Sequence, residues 1–302
     1  MSNRRTLIAA WLLISAALSA LVGAAGTVGG ARAAEPLVVA SIRPVHSLVA
    51  MVMAEGQPVL LYSGAESPHE AALRPSQART LQAADLIVRV AADFETALRR
   101  PLRAMAAGGT ILTLSQVPGI IRLPRRGAGG TDPHIWLDAR NAAAMVRAIA
   151  DALVALDPQN ARNAEAIGAR AERAAAVLGR LDAEIAGRLA AKRPFVASHD
   201  AFQYLEARYG LRTIGALAGA DGARLGARGN LALRRRAGAA RITCLLSDGP
   251  RPGRPARALA ADLGARLASF DVLGSSLEPG PGLYPKLMRQ GVAALTACLG
   301  AP

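Results

Sequence analysis

The sequence predicts an α/β fold of two parallel-sheet lobes joined by one long rigid helix. Short β-rich runs alternate with Ala- and Leu-rich helical stretches in both halves of the chain, a pattern typical of parallel strands covered by helices. Between the halves, residues 158–191 carry helix formers at nearly every position and no internal proline. About 270 residues follow residue 33, which exceeds the usual size of one core and favours two lobes.

The first 33 residues have the three-part pattern of a secretory signal peptide. Arg4 and Arg5 precede an apolar run over 7–22, and small residues occupy 31–33 ahead of Ala34. The alternative is a membrane-spanning helix, but the apolar run is short and ends in a Gly-rich stretch. No cysteine lies near the cut to carry a lipid anchor. We therefore expect cleavage and a periplasmic protein, which we also expect to be a monomer.

The chain is strongly basic. Cleavage would remove Arg4, Arg5 and Arg32, which lowers the formal net charge from +14 to +11. The arginines are scattered among Ala and Gly, only 3% of residues are aromatic, and no nucleic-acid motif is recognisable. We therefore predict no nucleic-acid partner and interpret the charge as a solvated surface with weak attraction to anionic membranes.

The predicted N-terminal lobe covers residues 34–157 and the C-terminal lobe covers residues 192–302, with 158–191 as the linking helix. The strands that we predict are 37–41, 59–62, 86–90 and 110–114 in the first lobe, and 195–198, 213–215, 242–246 and 267–270 in the second. Helices are predicted at 201–209 and 285–299, and the segment 216–240 is expected to be a long loop with one helix.

Three of the four histidines stand at ends of strands or turns. His69 follows the strand 59–62, His134 lies in Asp-Pro-His-Ile-Trp-Leu, and His199 follows the strand 195–198. A histidine is often a surface or hydrogen-bonded core residue, which is the alternative for each. Imidazole is also the commonest metal ligand, and ligands collect beyond the carboxyl ends of parallel strands. Asp271 is placed in the same way after the strand 267–270, so we predict a metal site in the interlobe cleft.

The donor types favour zinc. Three neutral imidazoles and one carboxylate form a four-ligand set typical of Zn²⁺, whereas carboxylate-rich sets suit manganese better.

The segments around these positions resemble a known family, the ZnuA-like (cluster A-I) zinc-binding substrate-binding proteins of bacterial ABC importers. The segments that carry the resemblance are 64–69, 73–76, 134–137, 198–204 and 270–274. The resemblance implies that His69, His134 and His199 bind zinc, with Asp271 as the fourth ligand. A glutamate usually replaces the residue corresponding to His199 in the manganese-binding branch, which favours zinc here.

The resemblance also implies a function: capture of periplasmic zinc and its delivery to a membrane permease with its ATPase. Zinc is then a transported ligand and the chain is not an enzyme. Many relatives carry a His-rich loop before the second ligand, but residues 125–132 contain no histidine. A periplasmic zinc chaperone is the candidate replacement for that loop.

The two cysteines, Cys244 and Cys298, read as a disulfide in an oxidising compartment. The competing interpretation is that both thiols join the metal site. The resemblance implies the disulfide, since zinc-binding members of the family have such a pair.

Two other functions compete with zinc capture. One is a manganese or iron receptor of the same family, and the other is a secreted zinc hydrolase with a metal-activated water. A fourth ligand at Asp271 and the lack of a general-base motif argue against the hydrolase.

Several further residues have open roles. His46 is a candidate fifth ligand or a helix-start residue, and Glu66 a candidate oxygen ligand or a surface carboxylate. Asp138 and Asp200 are candidates to orient the imidazoles, and Trp136 is expected in the core.

Overall fold

Two four-stranded parallel sheets organise the chain in the computed structural model, which confirms the predicted fold class. The model describes residues 35–53, 56–63, 68–69, 71–104, 110–127, 129–189 and 193–300. The predicted signal peptide, 1–33, and Glu66 lie outside the described residues.

The first sheet has the strand order β2-β1-β3-β4. Its strands are β1 (Val38–Ala40), β2 (Val59–Leu60), β3 (Leu86–Arg89) and β4 (Thr110–Thr113), and its helices are α1 (Arg43–Val52), α2 (Pro75–Ala83) and α3 (Arg99–Ala104). All three residues of the central strand β1 are buried. This burial explains its continuous apolar sequence, because a parallel strand covered on both faces has no solvent side.

Two long helices follow the first sheet: α4 (Ala139–Leu156) and α5 (Ala161–Arg188). The side chain of Asn160 caps α5 by accepting a hydrogen bond from the backbone N–H of Asn163 at 3.0 Å. The 28 residues of α5 lie within the predicted linking segment 158–191 and span about 42 Å. The helix is slightly shorter than that segment because the cap fixes its start at Ala161.

The second sheet has the corresponding order, β6-β5-β7-β8. Its strands are β5 (Phe195–Ala197), β6 (Thr213–Ala216), β7 (Cys244–Ser247) and β8 (Arg266–Ser269), and its helices are α6 (Gln203–Tyr209), α7 (Ala227–Ala239), α8 (Arg254–Leu263) and α9 (Leu283–Leu299). Helix α7 is the one helix that we predicted within 216–240.

The helix α5 packs against elements of both halves, namely α1, α4 and α9. Its buried side chains recur at helical spacing and are Ile167, Ala171, Ala174, Ala175, Leu178, Leu181 and Ile185. They belong to one apolar core that runs from the first sheet to α9. From Pro36 onward the chain forms one compact unit, so the two lobes share a core on this side.

A disulfide joins Cys244 on β7 to Cys298 on α9, as predicted. It fastens the closing helix to the second sheet, and both cysteines are buried. Within the described part of the chain, no helix has both the length and the apolar character required to cross a bilayer.

Candidate metal site

His69 stands in the turn after β2, with its ring edge-on to Phe94 at a centroid distance of 4.8 Å. Its Nε2 atom is buried and has no hydrogen-bond partner among the described residues. Burial and the nearby rings of His134 and His199 lower the pKa of His69 to about 3. The imidazole is therefore neutral at physiological pH, the state that a metal requires.

His134 lies directly before a 3-10 helix, Ile135–Leu137, and is almost completely buried. Oδ1 of Asp132 accepts two hydrogen bonds from it, one from the backbone N–H at 3.0 Å and one from Nδ1 at 2.8 Å. Because an ionised carboxylate can only accept, Nδ1 carries the proton and Nε2 keeps its lone pair. Burial lowers the pKa of His134 although Asp132 opposes the shift.

His199 follows β5 and comes from the second lobe. Its Nδ1 donates to Oδ2 of Asp248 at 3.0 Å, and Oδ1 of Asp248 accepts from the hydroxyl of Ser198 at 2.6 Å. Its Nε2 is buried without a partner in the described structure. Burial alone would lower the pKa of His199, but the bond to Asp248 outweighs it and the net shift is upward. Burial likewise opposes ionisation of Asp248, yet His199 and Ser198 lower its pKa to about 2.

The three imidazoles converge on one point. One ring nitrogen from each of His69, His134 and His199 lies within 4.8 Å of the others. Nitrogens bound to one tetrahedral zinc at 2.0–2.1 Å would be roughly 3.4 Å apart. The present separations exceed that value by no more than about 1.4 Å, so small adjustments of the rings would let the three nitrogens share one ion.

A small cavity of about 90 Å³ opens onto this cluster. Asp271, the predicted fourth ligand, lines it together with all three histidines. Its Oδ2 accepts hydrogen bonds from the hydroxyl of Ser275 at 2.8 Å and the backbone N–H of Ser276 at 3.2 Å. Asp271 thus stands at the cavity wall, and its carboxylate is not part of the close histidine group.

Trp136 anchors the first lobe to the segment that carries Asp271. Its ring is fully buried, as predicted, and Nε1 donates to the carbonyl of Val272 at 2.9 Å. The hydroxyl of Tyr284 in turn donates to the carbonyl of Trp136 at 2.6 Å. These two bonds connect the lobes beside the cavity, whose lining includes Trp136 and Val272.

The remaining histidine, His46, lies in α1, where its Nε2 bonds to the carbonyl of Pro58 at 2.9 Å. It does not belong to the cluster of ring nitrogens. Its place in the first turn of α1 matches the helix-start interpretation.

We expected Asp138 and Asp200 to orient the imidazoles, but both bind other partners in the structure. Asp138 caps α4 and pairs with Arg140 at 2.7 Å, and Asp200 pairs with Arg126 at 2.9 Å. Asp132 and Asp248 take the orienting role. Asp132 was detectable as the residue two before His134, and Asp248 as an aspartate directly after a strand that neighbours β5.

Two α/β lobes with a histidine cluster between them define a metal-ion-binding protein of the two-lobed type. The family model described as the periplasmic component A of the zinc-uptake complex, ZnuA, matches residues 38–298. The chain therefore belongs to the ZnuA family.

Three relatives illustrate the extent of the similarity. The high-affinity zinc uptake system protein ZnuA of Paracoccus denitrificans (strain Pd 1222) is 31% identical over 95% of this chain and 98% of its own. The protein of the same name from Brucella abortus (strain 2308) is 28% identical over 87% and 91%. A solved crystal structure of ZnuA superposes with a TM-score of 0.77 at 22% identity, covering 88% of this chain and all of that one. At that identity, the superposition shows the fold alone.

Proposed function

We propose that this protein captures zinc in the periplasm and delivers it to the permease and ATPase of an ABC importer. The observation that carries the proposal is the orientation of the imidazoles. Two of them, His134 and His199, have Nδ1 held by an aspartate, which leaves Nε2 free to face His69. Metal-binding histidines are typically oriented in this way.

The ligand set of the proposal is His69, His134 and His199 with Asp271 as the fourth donor. Three nitrogen donors and one oxygen donor favour zinc over manganese, which prefers sites rich in oxygen. The cavity of about 90 Å³ is far below the roughly 300–1,000 Å³ of sites for organic ligands. Its size therefore fits an ion rather than a metabolite.

Binding without chemistry fits the cavity better than hydrolysis does. Asp248 and Asp271 are the carboxylates among the described residues that line it. The first is bonded to His199 and Ser198, and the second accepts from Ser275 and is the proposed fourth ligand. Neither is free to activate a metal-bound water, which a zinc hydrolase requires.

The remaining parts of the proposal rest on the sequence and on the family. The signal-like residues 1–33 support export and a mature chain that begins at Ala34. We propose that this chain acts as a monomer without a nucleic-acid partner. The stretch 125–132 contains no histidine, so we also propose that a periplasmic chaperone supplies zinc when the ion is scarce.

The test is a competition titration of metal-stripped mature protein with zinc and manganese, in which native mass spectrometry counts the ions bound. We expect one zinc per chain, retained against about a hundredfold excess of manganese. His69→Ala should lose the ion, and His46→Gln, which changes the histidine outside the cluster, should keep it. A preference for manganese, or the absence of stoichiometric zinc, would contradict the proposal.

Hydrolysis is tested separately with zinc-loaded protein and a panel of ester, amide and phosphate-ester substrates. We expect no turnover. Activity that appears on zinc loading and disappears in His199→Ala would replace the receptor proposal with the hydrolase.

A further inference from the structure

The positive charge of the chain is concentrated in one stretch of the second lobe. Residues 223–266 contain ten arginines and two aspartates, a net charge of +8. The whole chain after residue 33 carries only +11, because Arg4, Arg5 and Arg32 are lost from a total of +14. Most of the basic excess therefore belongs to α7, α8 and the segments beside them.

Helix α7 directs part of this charge away from the protein. It buries Leu233 and Ala237 in the small apolar cluster beneath it. Since successive residues of a helix are about 100° apart, Arg228, Leu231 and Arg235 lie on the opposite side. All three are exposed.

Helix α8 has the same arrangement and lies against α7. It buries Ala256, Leu259 and Ala260 in the same cluster, which places Arg254 and Arg257 on its outer side, where both are exposed. An ion pair between Arg234 and Asp262 connects the two helices. The outward residues Arg228, Leu231, Arg235, Arg254 and Arg257 are called the arginine face below.

The charge of this face is not neutralised by the protein. Within the described ranges, no carboxylate lies at ion-pair distance from its four arginines, and Arg257 donates only to the carbonyl of Pro252. Leu231 is 51% exposed, the highest value among the exposed large apolar residues that the structure describes. A surface that exposes an apolar side chain among unpaired cations suits a partner that offers both anions and hydrocarbon.

We propose that the arginine face binds the mature protein to an anionic lipid surface. Arginines near such a surface attract the headgroups, and an apolar side chain between them enters the interface. Lipid headgroups are mobile and adapt to irregularly spaced arginines, whereas an acidic protein would need matching positions. The face is separate from the zinc site, because none of its residues lines the metal cavity.

The test is flotation of metal-loaded mature protein with lipid vesicles. One set is phosphatidylcholine alone, and in the other about a third of the lipid is phosphatidylglycerol. We expect binding to the anionic vesicles at low salt, release at about 0.5 M salt, where the screening length is only a few ångströms, and no binding to the neutral vesicles. Equal binding to both sets, or none to the anionic set, would overturn the proposal.

Variants locate the binding surface. Arg228→Gln, Arg235→Gln and Arg254→Gln together should weaken vesicle binding by about a hundredfold, since each arginine near an anionic surface contributes a factor of about five. The matched control is Arg162→Gln, Arg173→Gln and Arg180→Gln, which removes the same charge from exposed positions on α5. It should retain most of the binding.

Further variants and controls complete the test. Leu231→Gln in the otherwise unchanged chain should weaken the binding several-fold and reduce the part that survives added salt. If the two triple variants lose vesicle binding equally, the binding depends only on net charge, and the proposal is overturned. Binding to an acidic polypeptide such as polyglutamate, without binding to vesicles, would assign the face to a protein partner and overturn it as well. Unchanged zinc stoichiometry and melting temperature would show that the variants are folded.

Discussion

His134 in the first lobe and His199 in the second are oriented by the same kind of bond, but the two pairs differ in construction. Asp132 stands two residues before His134, and both side chains are sealed from solvent, at 2% and 0% exposure. Asp248 reaches His199 from the neighbouring strand, and this pair is more open, at 12% and 31%. The Asp132–His134 pair is close in sequence and shielded from solvent. The Asp248–His199 pair forms only when the second sheet is assembled.

The difference in construction leads to a difference in protonation. Burial dominates at His134 and lowers its pKa, whereas the bond to Asp248 prevails at His199 and raises its pKa. With His69 also neutral, the first lobe presents two imidazoles that are ready for an ion at neutral pH. The second lobe holds the imidazole whose pKa is shifted upward, so protons compete with zinc for His199 to a higher pH than for the other two histidines.

The largest expected effect is the loss of a ligand. His134→Ala and His199→Ala should each weaken zinc binding by a few hundredfold or more, because a binding energy of roughly 10–16 kcal/mol is shared among four ligands. Competition with a calibrated zinc chelator measures this loss. If a variant retains wild-type affinity, the histidine that it lacks is not a zinc ligand.

The next effect tests the two aspartates. Asp132→Asn and Asp248→Asn retain an acceptor oxygen but lose the charge, and each should reduce zinc affinity about 10–100-fold. Because Asp132 is sealed and also accepts from the backbone of His134, its variant should lower the melting temperature more than the Asp248 variant does. Thermal unfolding of the metal-free proteins measures this difference, and the reverse order would contradict the comparison of the two pairs.

The pH dependence of zinc binding sharpens the comparison further. A raised pKa means that His199 holds its proton more tightly, so zinc competes with that proton below the pKa and not above it. We expect the logarithm of the affinity to fall with a slope of one proton as the pH drops below this pKa. In Asp248→Asn the pKa of His199 should be lower and the fall should begin at a lower pH. Isothermal titration in buffers of different ionisation enthalpy counts the protons that zinc releases. If the affinity of Asp248→Asn begins to fall at the same pH as that of the unchanged protein, the assignment is contradicted.

The smallest effect concerns a contact between the lobes. Arg126, in the loop after the first sheet, pairs with Asp200 at 2.9 Å and with Glu206 at 3.0 Å in the second lobe. Arg126→Gln should increase the dissociation rate of zinc by a factor of about five at most, since a partly exposed pair contributes up to about 1 kcal/mol. Stopped-flow chelation measures the rate. The control is Arg147→Gln, which breaks a more exposed arginine–carboxylate pair with Glu172 between α4 and α5 and should leave the rate unchanged.

Structural features that depend on local sequence patterns could be predicted from the sequence alone. The strands before His69 and His199 and most of the long helix follow from short-range signals, and the structure contains them. The disulfide, also present, was predicted from the even cysteine count, the oxidising compartment and the family resemblance. The histidine cluster was predicted because ligands collect beyond the carboxyl ends of parallel strands and because the surrounding segments resemble the ZnuA-like family. That rule predicts that the histidines lie in the same region, but it gives no distances between them.

The orienting carboxylates show what the sequence alone does not determine. Asp200 is adjacent to His199 in the chain, yet its side chain turns to Arg126. Asp248 is 49 positions from His199 in sequence and reaches its ring because β7 pairs with β5. Asp138 is recruited by the free N–H groups at the start of α4. Such competition among nearby partners is settled only in the folded chain.

The most direct test of the account is anomalous diffraction at the zinc absorption edge from crystals of the zinc-loaded mature protein. We expect one anomalous peak per chain, bonded at 2.0–2.1 Å to Nε2 of His69, His134 and His199, while Asp132 and Asp248 remain bonded to Nδ1 of their histidines. A peak outside this cluster, or coordination through Nδ1 of His134 or His199, would contradict it.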